Sequence, residues 1–204
     1  MAPVRSRGAE GELSPKERIL IAGKRLFAVL GYENTTLEAI CRESNTTEAQ
    51  LFKHFGSKEG LLEAIFEDGW GKLRLRLAAL QTLSSPRKKL KKLGMLMIQL
   101  FGEDPQLRDL MLLEGRRIRR ESKMVMLTAS YREFVALIDS LIVASQPQGM
   151  SYPPALIRAA LNGAFEGMLR ELVVQERWRH PAGFTAGEAE KFVAELIDRL
   201  LGPE

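Results

Sequence analysis

The densest run of chemistry-bearing side chains is TTEAQLFKHFGSK, Thr46 to Lys58, where Gln50, Lys53, His54 and two phenylalanine rings share one short segment. Gln50 and Lys53 stand three residues apart, so on a helix they project the same way. Glutamine offers the donor and acceptor that pair with adenine, and lysine offers donors to guanine; each good pair discriminates between bases by roughly 1–3 kcal/mol. Thr36, Thr46 and Thr47 stand where helices are expected to begin. Their hydroxyls and the free backbone N–H groups beside them can hold a phosphate, and Lys58 can do the same at the start of the next helix. Gln50 has a second reading, because it follows Thr47 at the spacing of a capping box and can serve the helix start instead of a base.

Helices must position these groups. Ile19, Ala22, Leu26, Phe27 and Leu30 recur at three- and four-residue steps and make one apolar face. Ser14-Pro15-Lys16-Glu17 combines an N-cap serine, a proline at the first helical position and the glutamate of a capping box, and Gly31 ends that helix. A second helix follows Thr35 and Thr36 with Leu37, Ile40 and Cys41 inward, stopped by Asn45 in a left-handed turn. A third begins near Thr47 and buries Leu51 and Phe55. Ser57 caps a longer helix reaching about Leu83, in which Gly69 and Gly71 could mark a bend. Breaks at 84–86, 102–105, 115–122, 146–154 and 180–187 divide the rest. The expected fold is all-α, with about nine helices.

Composition excludes several function classes. At 204 residues, 45% hydrophobic and 27% charged, the chain can bury a real core as one large or two small domains. It has no run of about 18 uncharged apolar residues, and MAPVRSRGAEGELSP lacks the apolar segment of a signal peptide; a cytoplasmic chain with no membrane partner is expected. A single cysteine, Cys41, excludes an internal disulfide and fits a small residue at a close helix crossing. His54 and His180 match no zinc spacing, so neither metal nor cofactor is expected. No nucleophile elbow, phosphate-cradling glycine loop or metal pair supports an enzyme. Residues 1 to 60 carry 9 Lys/Arg against 8 Asp/Glu, whereas 61 to 130 carry 14 against 8. A nucleic-acid reading of the N-terminal part therefore rests on placement and not on bulk charge.

Three short helices, the second and third joined by a three- or four-residue turn, are the sequence form of a helix-turn-helix. The pattern F-x-x-x-G-Y-x-x-T-T-x-x-x-I is present as Phe27, Gly31, Tyr32, Thr35, Thr36 and Ile40, followed by Leu51, Phe52, His54, Phe55, Ser57, Lys58, Glu59 and Leu61 at the spacing L-[YF]-x-H-F-x-S-K-E-x-L. Residues 14 to 65 thus resemble the DNA-binding head of the TetR family of transcriptional repressors. The resemblance implies a head over 14–56, a ligand-binding and dimerisation body over 57–204, and a phosphate contact from His54. The polar residues 1–13 make a basic arm whose Arg5 and Arg7 either reach a minor groove or simply carry charge. Phe52 stands where the family often has tyrosine, leaving ring contact alone. Glu48 repels phosphate unless it accepts from a cytosine amino group. Ala49, Thr46 and Asn45 replace a common glycine, valine and turn glycine.

The body carries no motif of that specificity. Ala160, Gly163, Ala164 and Gly167 place small residues on one face near Pro154 to Trp178, and Phe192, Val193, Leu196, Ile197 and Leu200 give the last helix an apolar stripe. These two helices are the expected homodimer element, the alternative being that the stripe packs only on its own subunit. Pocket candidates are Trp70, Leu73, Met95, Phe101, Met111, Tyr131, Phe134, Phe165 and Met168, since methionines and aromatics line adaptable cavities, although at helical spacing they also make plain core. Glu114 and Arg117 either add polar contacts there or lie on a solvated face; Arg87, Lys88, Lys89, Lys91 and Lys92 are expected to form such a face. The partners implied are a near-palindromic operator in double-stranded DNA and an apolar or weakly anionic effector whose binding releases a repressor. The alternative is a non-sensing DNA-binding protein or a helical adaptor.

Overall fold

Helix α1 (Pro15–Leu30) starts as the capping box predicts: the Ser14 hydroxyl accepts from the Glu17 N–H, and the Glu17 carboxylate accepts from the Ser14 N–H at 2.8 Å. It ends at Gly31, where φ is +83°. Helix α2 (Leu37–Ser44) is capped by Thr36 and stopped by Asn45 in the left-handed conformation, φ 49° and ψ 52°. Helix α3 (Glu48–Phe55) follows after the three residues 45–47, with both halves of the Thr47/Gln50 capping box formed. Arg18 fixes the turn between α2 and α3 by donating to the carbonyls of Ser44 and Asn45. The buried Thr35 hydroxyl ties the loop before α2 to α1 through the carbonyls of Leu26 and Gly31. Ile19, Phe27, Ile40 and Leu51, each fully buried, form the centre of this three-helix unit.

The computed structural model describes residues 13–115, 127–147, 149, 152–180 and 183–202. Among them the chain forms nine α-helices and no strand, the all-α fold expected. The arm at 1–12, with Arg5 and Arg7, and the segment holding Arg117 lie outside the described residues. Helix α4 (Lys58–Arg76) follows Ser57; then come α5 (Pro86–Glu103), α6 (Pro105–Leu113), α7 (Ala129–Ser145), α8 (Pro154–Trp178) and α9 (Ala186–Leu201). Helix α5 is central to the body and packs on both α7 and α9.

Several expectations need correction. Helix α4 does not run to Leu83: residues Leu77–Leu80 tighten into a 3-10 turn, in which Leu77 and Leu80 eclipse and Leu80 is buried. Gly69 marks close packing rather than a bend, since a Cβ there would sit 2.6 Å from Leu107 of α6, and α4 continues through it. Arg87 is on no solvated face. It is 4% exposed and donates to the carbonyls of Leu201 and Gly202 at the end of α9 and of Ser145 at the end of α7. Carbonyl ends of helices carry partial negative charge, so a guanidinium is the side chain suited to join two of them. Lys91 likewise is paired, 2.5 Å from Asp198. Glu114 is buried and not on a solvated face.

The stripe on α9 divides. Val193 and Ile197 are buried within the protomer, Val193 against Gly94 of α5, while Phe192 stays 52% exposed. In the 25 residues of α8 only Ile157 and Leu169 are buried, and a Cβ on Gly163 or Gly167 would meet nothing within 4 Å. The small-residue face of α8 is therefore open.

Replacing Arg87 by methionine removes at least three charge-assisted hydrogen bonds from a buried site. It is expected to lower unfolding free energy by about 2–4 kcal/mol in urea titrations. Lys88→Met on the exposed neighbouring position should change it by less than about 0.5 kcal/mol.

Candidate nucleic-acid interface and ligand cavity

Helix α3 is held by one side and free on the other. Leu51 is fully buried and Phe55 half-buried, whereas Glu48, Ala49, Phe52, Lys53 and His54 are exposed. Phe52 keeps 45% of its surface in solvent, which makes an apolar ring part of the outward face. His54 is edge-on to the Phe55 ring at 6.2 Å. Lys53 projects freely. Gln50 is half-buried, and its Oε1 accepts the Thr47 N–H at 3.1 Å, so its amide N–H groups are what it presents outward.

The helix starts are also occupied by their own caps. Thr36 and Thr47 are exposed with hydroxyls accepting from Ala39 and Gln50, and the Thr46 hydroxyl is bonded to Ser44 Oγ at 2.6 Å. Lys58 Nζ lies 4.4 Å above the Tyr32 ring and donates to the Glu33 carbonyl at 3.4 Å. That ammonium fastens the start of α4 to the loop after α1. Cys41 lies beneath, where burial and the nearby Glu48 charge push its thiol up and keep it protonated.

A second feature opens in the body. Trp70 of α4, Phe101 of α5, Met111 of α6, Tyr131 and Phe134 of α7 and Phe165 of α8 surround a slot of about 620 Å³, mouth included. It is narrow and mainly apolar. Trp70 stacks obliquely on Tyr131 and Phe134 at 5.1 and 4.9 Å, and Phe101 meets Phe165 at 5.9 Å. Arg158, Asn162 and Glu166, one turn apart on α8, add a polar row, and Arg158 is 2.7 Å from Asp139. A neighbouring chamber shares Met97, Ile138, Arg158, Asn162 and Phe165 and extends to Val193 and Ile197 of α9.

Residues 19–65 match the model of the bacterial regulatory proteins of the tetR family. Residues 19–65 therefore form a head of the tetR-family type. YvkB, an HTH-type transcriptional regulator of Bacillus subtilis, is 41% identical over 49 residues, which is 24% of this chain and 26% of that protein. UidR of Escherichia coli, also an HTH-type transcriptional regulator, is 36% identical over 50 residues, with the same two shares. The match thus spans about a quarter of the length of these curated relatives. Beyond the TetR head, likeness is one of fold. FadR from Bacillus subtilis, solved in complex with stearoyl-CoA, has a TM-score of 0.76 at 17% identity, covering 88% of this chain and 96% of that one. AibR, solved with isovaleryl coenzyme A and operator DNA, has a TM-score of 0.63 at 21% identity, covering 94% and 100%.

Of the cavity residues expected from sequence, Trp70, Phe101, Met111, Tyr131, Phe134 and Phe165 come together in the slot of this TetR fold. Leu73 lines a small hollow beside it. Met95 and Met168 line neither chamber; Met97, two residues on and across the helix, takes the place expected of Met95. The polar row of Arg158, Asn162 and Glu166 escaped the sequence reading. Its four-residue period is present in the sequence, on the same helix as the small residues.

The α3 surface separates two roles. Phe52→Tyr restores a hydroxyl to an exposed ring and should tighten binding to every duplex about two- to tenfold. Lys53→Ala should instead relax preference at one or two base pairs, by about 1–3 kcal/mol each. Fluorescence anisotropy over a panel of single-base operator variants distinguishes the two patterns.

Proposed function

We propose that this chain is a homodimeric transcriptional repressor whose two α3 helices enter successive major grooves of a near-palindromic operator and leave it when an effector fills the slot. The observation that carries this reading is the outward side of α3: Lys53, His54 and Phe52 are exposed while Leu51 anchors the helix from behind. Residues 14–56 act as the DNA-binding head and 57–204 as the sensing and dimerisation body. Two such heads must lie about 34–36 Å apart, one turn of the duplex. The N-terminal caps at Thr36 and Thr47 point the head's backbone donors toward phosphates, His54 and the Phe52 ring pack along the sugar-phosphate backbone, and Lys53 reads base edges.

The open face of α8, together with Phe192 of α9, supports a dimer through these two helices, because Gly163 and Gly167 admit a close helix approach from a second copy. For the effector, the narrow apolar slot suits a chain of methylenes, and Arg158, which lines both chambers, supplies positive charge beside it. Acyl thioesters of coenzyme A are the class to test first, since structures of the same fold were solved with stearoyl-CoA and isovaleryl coenzyme A. Helix α4 links the two sites, with Lys58 beside α3 and Trp70 at the slot. A coupling of about 1–3 kcal/mol between effector and operator lowers operator affinity five- to 150-fold, and by linkage operator DNA weakens effector binding by the same factor.

Selection of bound sequences from random duplex DNA should return a near-palindrome, and acyl-CoA should release it in anisotropy titrations. Recovery of DNA without any consensus sinks the specific-regulator reading. Sedimentation of Gly163→Leu should show a weakened dimer, by tenfold or more in dissociation constant; an unchanged dimer removes α8 from the interface.

A further inference from the structure

Trp70 is 6% exposed, and its indole Nε1–H has no hydrogen-bond partner among the described residues. Folded proteins pair nearly all their buried polar groups, because an unpaired one has forfeited its hydration for nothing. An orphan of this kind calls for a partner that arrives later. Trp70 lines both the slot and the small hollow beside it, and among the described residues it is the one residue of α4 on the slot. Its ring neighbours there are Tyr131 and Phe134, surroundings that would leave a carboxylate poorly solvated but accept a neutral carbonyl oxygen.

We propose that the Trp70 indole N–H is the donor that recognises the effector, accepting into the apolar slot a chain that carries a carbonyl oxygen, the acyl carbonyl of a thioester, and bonding to it. This rests on the acyl-thioester reading above and adds the residue that reads it. The consequence is directional. A hydrocarbon chain alone fills the slot without engaging the N–H, whereas a thioester completes a hydrogen bond on α4, the helix whose first turn lies beside the recognition helix.

Two probes isolate that oxygen: dodecanoyl-coenzyme A and S-dodecyl-coenzyme A, a thioether with the same chain and no carbonyl. The full-length protein should bind the thioester about tenfold more tightly than the thioether by calorimetry. Trp70→Phe keeps a ring and removes the donor, so it should weaken the thioester about tenfold and leave the thioether within twofold. In ¹⁵N-indole spectra the Trp70 signal should move downfield with the thioester only. Trp178, 68% exposed, supplies a second indole as reference. Equal affinity for both probes with an unmoved Trp70 signal overturns the donor role and leaves the acyl-CoA reading standing. Equal weakening of both probes by Trp70→Phe assigns the ring to packing and overturns it as well. Binding of neither probe removes the acyl-thioester reading and the donor role together. Should the variant fail to fold, the wild-type affinities and spectra decide.

Discussion

The carboxylate of Asp104 joins four helices at one point. Its Oδ1 accepts the Leu107 N–H at 3.1 Å and starts α6, while its own backbone N–H closes α5 on the Leu100 carbonyl. Its Oδ2 lies 2.7 Å from Lys24 Nζ on α1 and 4.0 Å from Lys72 Nζ on α4. Burial pushes the carboxyl up, but the hydrogen bonds from Lys24 and Leu107 and the charges of Lys24 and Lys72 more than offset it, holding the group below the usual aspartate range. A carboxyl depressed by folding stabilises the fold above its unfolded value of about 3.9, and that stability is lost as pH falls through the folded value. At neutral pH the joint is fully charged.

Beside that joint the head packs directly on the body's first helices, α1 against both α4 and α6. Gly23 of α1 leaves no room for a Cβ against Leu61 of α4, at 2.7 Å, and Gly69 of α4 leaves none against Leu107 of α6, at 2.6 Å. Contacts this close transmit displacement, because interiors packed like crystals deform by switching arrangement and not by yielding gradually. Helix α4 passes through both contacts. Its first turn is clasped to Tyr32 and Glu33 by Lys58, and three turns later Trp70 meets the slot.

What the sequence disclosed and what it withheld follow the range of the interactions. Ser14 with Glu17, Thr47 with Gln50, and the left-handed Asn45 were legible because their chemistry closes within three residues. The head was legible as a whole because many positions over about fifty residues agree with one pattern. Arg87 was not, since its partners at Ser145 and Gly202 are 58 and 115 residues away, and a run of basic residues gives no sign that one of them turns inward. The apolar stripe of α9 had no feature to show that Val193 would be claimed by Gly94 of its own chain. Six of the nine residues named from type alone line the slot, but Met95 and Met97 differ only by which side of α5 they occupy. Rotation of a helix about its axis is set by its neighbours, and no local signal reports it when the helix is apolar on more than one side.

Helix α8 is fixed by charge at its ends more than by burial along its length. Near its start Arg158 pairs with Asp139 of α7; near its end Glu176 takes both guanidinium nitrogens of Arg108, at 2.9 and 2.6 Å, and Arg177 reaches Asp109 at 2.5 Å. Burial pushes the Arg108 guanidinium down, yet its bonds to Glu176 and Asp109 hold it above its usual value. Between the anchors one side of α8 walls the slot and the other is open. A ligand that enters must therefore press on a helix whose middle has little core of its own. Arg108 ties the end of α8 to α6 one turn from Asp104, whose carboxylate holds α1 through Lys24. In the proposed function, effector, second copy and head would bear on this one pair of helices, and linkage would make a change at any one of them felt by the other two.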